Sequence, residues 1–326
     1  MRRMPAAAAV RRVTLIASTL VMALASAAAA AQAPWPERAI QLIVPFPAGG
    51  GVDVIARPFA EQLSTLLGQP VVVLPKDGAS GTIGMAAVAS AKPDGYTLAF
   101  TPNGPITIQP HVIPTLSYKF DGVVPLCQIF AVQYVLAVKP DSPFRTLADL
   151  VNAAKAKPGE VRYGYGGVAT NPHLAMSQLV LTSGMDVLAV PYRGDPQAIL
   201  ALKAGDIDAA AMNIGGAKAQ GFRMLVTFAD ARQPEIADVP TLKESGYPVV
   251  SSAFGGLFAP RGIAPDVARK IDGACRKIVE DERYRQTLRQ AFQEPVYRSG
   301  AEFAQVLASD LAVKGDVVRR AGIKAN

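Results

Sequence analysis

Histidine and cysteine are almost missing from this chain, with two of each in 326 residues. His111 and His173 have no further ligand at a metal-binding spacing, so a metal centre is not expected. There is no Gly-x-Ser-x-Gly elbow and neither histidine has a triad context, which removes the common hydrolase arrangements. No glycine cluster is followed by Gly-Lys-Ser or Gly-Lys-Thr, so a nucleotide P-loop is excluded as well. Cys127 and Cys275 allow one disulfide at most. Cys127 stands in an apolar run and Cys275 on a helical pattern, which suits two buried thiols as well as a bridge.

What the chain has at its start is Arg2, Arg3, Arg11 and Arg12, then an apolar run over residues 13–24 and an alanine tract ending near Ala31. Charged, apolar and small residues in that order predict a cleavable export signal over residues 1–31. The apolar run falls short of the roughly 20 residues that a membrane span requires. Removing the signal takes four of 33 basic residues and leaves 29 against 26 acidic ones, so the net charge falls from +7 to +3. The remaining Lys and Arg are dispersed, and neither nucleic acid nor an anionic membrane surface is expected as a partner.

The strongest local signal is a strand pattern at residues 40–46 that runs into Pro47-Ala48-Gly49-Gly50-Gly51-Val52-Asp53 and then a helical pattern. Such a turn aims backbone N–H groups inward, and the helix adds its positive end, so an anion can be held without Lys or Arg. A small carboxylate is the expected ligand, approached most closely by Gly50 in a conformation that a β-branched residue resists. Asp53 reads as the helix N-cap, although Pro58 argues for a cap shifted by a residue or two. A second strand, at residues 161–164, enters Gly166-Gly167-Val168-Ala169-Thr170-Asn171-Pro172-His173. Here Asn171 is the expected N-cap, Pro172 the first helical residue, and the N–H groups of residues 168–170 further anion donors. Gly164-x-Gly166-x-x-Ala169 formally matches a dinucleotide fingerprint. No acid ends the next strand, since Asp186 precedes it and Asp195 lies beyond it, so a dinucleotide enzyme is only a remote alternative and no cofactor is expected.

Strand patterns alternate with helical ones from residue 40 to residue 100 and again from residue 161 to residue 212, which predicts two α/β units with mostly parallel sheets. Helices are expected at residues 265–282 and 301–321. No linker separates the units, so strands at residues 132–138 and 249–258 are expected to cross between two lobes. Lobe 1 is assigned to residues 32–133 plus 252–326 and lobe 2 to residues 134–251. A ligand cleft then lies between them, at the carboxyl ends of strands.

Several motifs run through the chain: Trp35-Pro-Glu-Arg38, the run ending at Asp53, Gly68-Gln-Pro-Val-Val-Val73, Gly81-Thr-Ile-Gly84, Ala91-Lys-Pro-Asp-Gly-Tyr-Thr-Leu98, Val190-Pro-Tyr-Arg-Gly194, Asp238-Val-Pro-Thr241 and Ala321-Gly-Ile-Lys324. In these the chain resembles the Bug-type extracytoplasmic solute receptors of tripartite tricarboxylate transporters. The resemblance implies a type II periplasmic-binding-protein fold, a periplasmic location, and capture of a carboxylate by hinge closure without catalysis. It also implies delivery to transporter membrane subunits; a monomer is expected, and a ligand-sensing role in signalling is the alternative. The family's ligand-gripping loops fall on residues 47–53 and 166–173. Asn103, Gly104, Tyr192, Met212 and Asn213 are then the candidates for the far end of the ligand. Val52 stands where the family often has a hydroxyl, residues 169–173 also depart from its pattern, and Met212 stands where it commonly has Asp. These departures predict a less acidic distal pocket, suited to a plain organic or aromatic acid rather than an amino acid.

Overall fold

The computed structural model describes residues 35–251 and 253–324, and the expected signal peptide lies outside them. Residues 1–37 form a unit of their own, of which residues 35–37 are described, with the Trp35–Pro36 peptide bond cis. All that follows concerns the second unit, from residue 38 onward.

The chain first forms β1 (Ile40–Val44), α1 (Gly51–Leu67), β2 (Val71–Pro75), a 3₁₀ turn (Ala79–Gly81), α2 (Thr82–Ala89), β3 (Thr97–Pro102), the short α3 (Gly104–Thr107) and α4 (Gln109–Val112), and β4 (Val123–Val132). It then builds β5 (Tyr134–Val138), α5 (Leu147–Ala156), β6 (Arg162–Tyr165), α6 (Asn171–Ser183), β7 (Leu188–Pro191), α7 (Asp195–Ala204), β8 (Ala209–Asn213), α8 (Ile214–Ala219) and β9 (Arg223–Thr227). Finally come β10 (Ala253–Pro260), α9 (Pro265–Glu280), α10 (Glu282–Gln290), β11 (Gln293–Ser299) and α11 (Gly300–Ala321).

Two sheets result, ordered β11-β4-β10-β3-β1-β2 and β7-β6-β8-β5-β9, and they make a two-lobed α/β fold. The long apolar run around Cys127 is cut at Gln133: β4 belongs to the first sheet and β5 to the second. The βαβ parts pair in parallel, β1 with β2 and β3, and β6 with β7 and β8. The strands that continue or return across the molecule pair antiparallel, β4 with β10 and β11, and β5 with β8 and β9. Each sheet is therefore mixed where a mostly parallel one was expected, because a strand arriving directly from the other lobe has no helical crossover to reverse it.

Helix α1 shows how the sheet edge is made firm. Ile55, Phe59 and Leu63 recur every four residues, all fully buried, and the Phe59 ring sits 5.4 Å from Phe100 of β3 and 5.7 Å from Tyr284 of α10. A side chain of that size stabilises the fold by roughly 1.5–3 kcal/mol when buried. The helix expected at residues 265–282 breaks at Asp281, whose extended backbone and side-chain bond to Tyr284 N cap α10 instead. Cys127 on β4 and Cys275 on α9 are joined as a disulfide, closing the choice that the sequence leaves open.

Candidate functional site

The first glycine turn follows β1 at the carboxyl end of that strand. Gly49 takes the left-handed conformation (φ 75°), whereas Gly50 is extended (φ −73°) and is the N-cap of α1. The conformational demand thus falls on Gly49 and not on Gly50; at Gly50 the constraint is space, since a Cβ there would lie 3.0 Å from the Pro47 carbonyl oxygen. Asp53 is the third helical residue, not the cap. Its buried carboxylate accepts from Gly49 N (2.9 Å) and from Arg57 Nε (2.8 Å). Burial opposes its charge, but these two bonds and the Arg57 charge together hold its pKa below the ordinary carboxylate value. The Gly49 N–H is therefore spent on Asp53 and the Gly50 N–H on Pro47 O (3.1 Å). Among the described residues, Gly51, Val52 and Asp53 at the start of α1 have no intramolecular acceptor for their N–H groups. Pro47, Ala48, Gly49 and Gly51 are exposed, and Val52 is half-buried.

The second turn follows β6. Thr170 is the N-cap of α6, with Asn171 and Pro172 as its first two residues, one position earlier than expected. Thr170 Oγ1 donates to Gly167 O (2.8 Å). Ala169, at φ 54° and fully buried, donates its N–H to His173 Nδ1 (3.0 Å), so only its neighbours remain as free donors. His173 stacks on Tyr165 with centroids 4.2 Å apart, and burial pulls its pKa down to about 4. It acts as a neutral acceptor that fixes the turn.

A chain of contacts joins the two turns into a ring. Phe46, beside the first turn, is the neighbour a Cβ on Gly81 would meet at 3.3 Å. Ser80, left-handed at φ 53°, donates to Val168 O (3.1 Å), and Gln109 Nε2 donates to Ala169 O (2.9 Å). On the second wall, Asp195 lies against Gly166 so closely that a Cβ there would be 2.5 Å from its Oδ1. Asp195 Oδ2 accepts from Asn213 Nδ2 (2.6 Å) and Asn213 N (3.2 Å), and Asn213 Oδ1 accepts from Gly216 N (2.7 Å) as the cap of α8. Gly215 packs beneath the Phe292 ring, and Gln293 Nε2 donates to Gly51 O (3.1 Å), which returns to the first turn. Both glycine turns, Asp195 and Asn213 all follow parallel strands at their carboxyl ends, the edge where open α/β sheets bind ligands.

Four of the expected distal residues are engaged within the protein. Asn103 is fully buried; its Nδ2 donates to Asp310 (2.6 Å) and its Oδ1 accepts from Asn171 Nδ2 (3.0 Å). Lys314 continues this network, donating to Ser251 Oγ (3.2 Å) and lying 4.0 Å from Asp310. Burial lowers the Lys314 pKa, and the Asp310 charge opposes that shift. Gly104 is buried beside Asn171. Met212 is fully enclosed with Val135, Leu202, Ile207 and Phe222, and the Tyr192 ring covers Gly164 in the same apolar cluster. Strand alternation explains this: Asn213 ends β8 at the cleft edge, and Met212 before it faces the core. Met212 therefore says nothing of pocket acidity, and the carboxylate that stands against the second glycine turn is that of Asp195. The sequence reading missed Ser80, Gln109, Asp195 and Gln293. Only Asp195, following Tyr-Arg-Gly and preceding Pro196 at a helix start, carried a readable signal.

The sequence profile of the tripartite tricarboxylate transporter family receptors matches residues 55–323. Protein BugT of Bordetella pertussis is 30% identical over 297 residues, covering 89% of this chain and 91% of BugT. An R. palustris protein solved with adipate superposes with a TM-score of 0.83 at 27% identity, covering 89% of this chain and 99% of that one. MatC from Rhodopseudomonas palustris, solved with bound malate, gives 0.80 at 26% identity over 87% of this chain and 100% of its own. With its two-lobed fold and a profile match over most of its length, the chain belongs to the tripartite tricarboxylate transporter receptor family.

Proposed function

We propose that this protein is a periplasmic receptor that captures a small carboxylate between its glycine turns, without chemical conversion, and presents it to membrane subunits of a transporter. The observation that carries this reading is the free N–H set of Gly51, Val52 and Asp53 at the head of a 17-residue helix, set in a ring of contacts with the second glycine turn. Backbone N–H groups at a helix start bind a carboxylate without an opposing cation. Gly166, Gly167, Val168 and Thr170 line the opposite wall. The adipate and malate held by the two R. palustris relatives agree with this class of ligand. Of the described residues, those from 38 to 133 with 253 to 324 then form one lobe and residues 134–251 the other, hinged at Gln133 and near Ser251, and ligand holds them closed.

A thermal-shift screen followed by calorimetry tests this. At a hundred times its dissociation constant, a ligand that binds only folded protein adds about 2.7 kcal/mol of stability, several degrees for a chain of this size. Carboxylates should supply the hits, and Gly166→Ala, which drives a methyl group into Asp195, should abolish them in a folded protein. Hits confined to nucleotides, or full carboxylate affinity in folded Gly166→Ala, would remove the ligand from this cleft.

A further inference from the structure

Asp195 has no ion-pair partner among the described residues, although it stands at the edge of the candidate cleft. Two donors from Asn213 converge on its Oδ2 and fix the orientation of the carboxylate, while its Oδ1 takes no hydrogen bond and points at Gly166. Only a residue without a side chain leaves room for that oxygen at the turn, so Gly166 and Asp195 are matched to each other.

Further unpaired acceptors stand around the ring. Among the described residues, the buried side-chain oxygens that lack a partner are those of Asp53, Gln133, Asn171 and Gln293. Asp53 and Gln293 belong to the ring, Asn171 begins the helix of its second turn, and Gln133 joins the two sheets beside Ile214. The Gln293 amide N–H donates to Gly51 O, which leaves Oε1 as its unpaired acceptor. Gln133 and Gln293 also line, with Ile214, Phe292, Arg285 and Arg289, a cavity of about 240 Å³ that Asp195 does not reach. Beside Asp195 itself a second carboxylate would meet an unpaired negative charge, whereas an ammonium would meet the open Oδ1.

We infer that Asp195 is a specificity-determining residue, and that the solute is an amino carboxylate whose ammonium group donates to Asp195 Oδ1 while its carboxylate is held by the glycine turns. The inference rests on the carboxylate reading above and narrows it. It reverses the expectation drawn from Met212, because the acid that Met212 seemed to remove is supplied by Asp195. Burial raises the Asp195 pKa, the Asn213 bonds oppose that rise, and a bound cation adds to the opposition.

The test is calorimetry on purified protein with matched pairs of acids that differ only by an amine: L-aspartate and succinate, L-glutamate and glutarate, 4-aminobutyrate and butyrate, and L-phenylalanine and 3-phenylpropionate. A charge-assisted bond predicts that the amine-bearing member of the accepted pair binds about ten- to a hundredfold more tightly. In Asp195→Asn, with folding checked by circular dichroism, that preference should collapse to within about threefold, chiefly through weaker binding of the amine-bearing member. Amine-free acids that bind the wild type as tightly as their partners overturn the inference and leave the carboxylate reading intact. Equal weakening of both members in Asp195→Asn assigns Asp195 to architecture alone and overturns it too. If no member of any pair binds while another carboxylate of the wider screen does, the amino-acid inference falls and the carboxylate reading stands.

Discussion

The hydrogen bonds from Ser80 and Gln109 to the second glycine turn can be weighed as a latch. Ser80 Oγ reaches Val168 O at 3.1 Å, and the nearly fully buried Gln109 reaches Ala169 O at 2.9 Å. If the lobes part without ligand, both bonds exist only in the closed form and their loss is read in affinity. Ser80→Ala removes one half-exposed bond, about 0.5–1.5 kcal/mol, and should raise Kd about two- to thirteenfold. Gln109→Leu leaves the buried Ala169 carbonyl unpaired, about 1–3 kcal/mol, and should raise Kd about five- to 160-fold. Ser80 is also left-handed, so Ser80→Gly should match Ser80→Ala in affinity yet fold about 1 kcal/mol more stably. Calorimetry gives Kd and urea titration of the ligand-free protein gives stability. The reasoning fails if ligand-free stability drops by these amounts while Kd stays at the wild-type value, because the turn would then be docked in both states.

Two further outcomes concern stability. The Cys127–Cys275 bridge closes a separation of 148 residues, so the chain-entropy estimate assigns it about 5 kcal/mol; the Cys127→Ala, Cys275→Ala double variant should lose a substantial part of that in urea denaturation and keep its ligand affinity. His173 is held neutral, with its pKa near 4 against an ordinary 6.5, so its contribution is complete above pH 6.5 and is lost as pH falls toward 4, about 3 kcal/mol by pH 4. The stability-versus-pH curve of His173→Gln should be flatter than wild type over that window, and an identical slope would show that His173 does not titrate there.

The parts of the site that were legible in the sequence are those made of backbone. Gly49-Gly50-Gly51 after an apolar strand, and Gly166-Gly167 after another, announce strand-to-helix turns because glycine is what such turns require, and both stand where they were expected. Even there the individual roles moved by a residue: Gly49 and not Gly50 is left-handed, and Thr170 and not Asn171 is the cap. Caps are settled by which side chain has a better partner elsewhere. Asn171, a good local cap, reaches Asn103 of the other sheet's segment instead, 68 residues away. No local pattern carries that contact.

The side chains expected at the far end of the site are placed by tertiary structure for a related reason. Met212 and Asn213 are adjacent, and in a strand adjacent residues face opposite sides, so one of the two had to leave the cleft. Which one leaves depends on where β8 ends, and strand ends are uncertain by a residue or two when read from an apolar run. Asp195 lies beyond the end of the strand before it, so no strand-end motif marks it. Its place comes instead from three parallel strands ending at one level: β6 brings Gly166, β7 leads to Asp195, and β8 ends in Asn213. The register of those strands, rather than any motif, puts a carboxylate against a glycine 29 positions earlier in the chain, within reach of two N–H donors. In this fold the glycine turns can be read along the sequence, while the side chains gathered beside them are set by contacts across it.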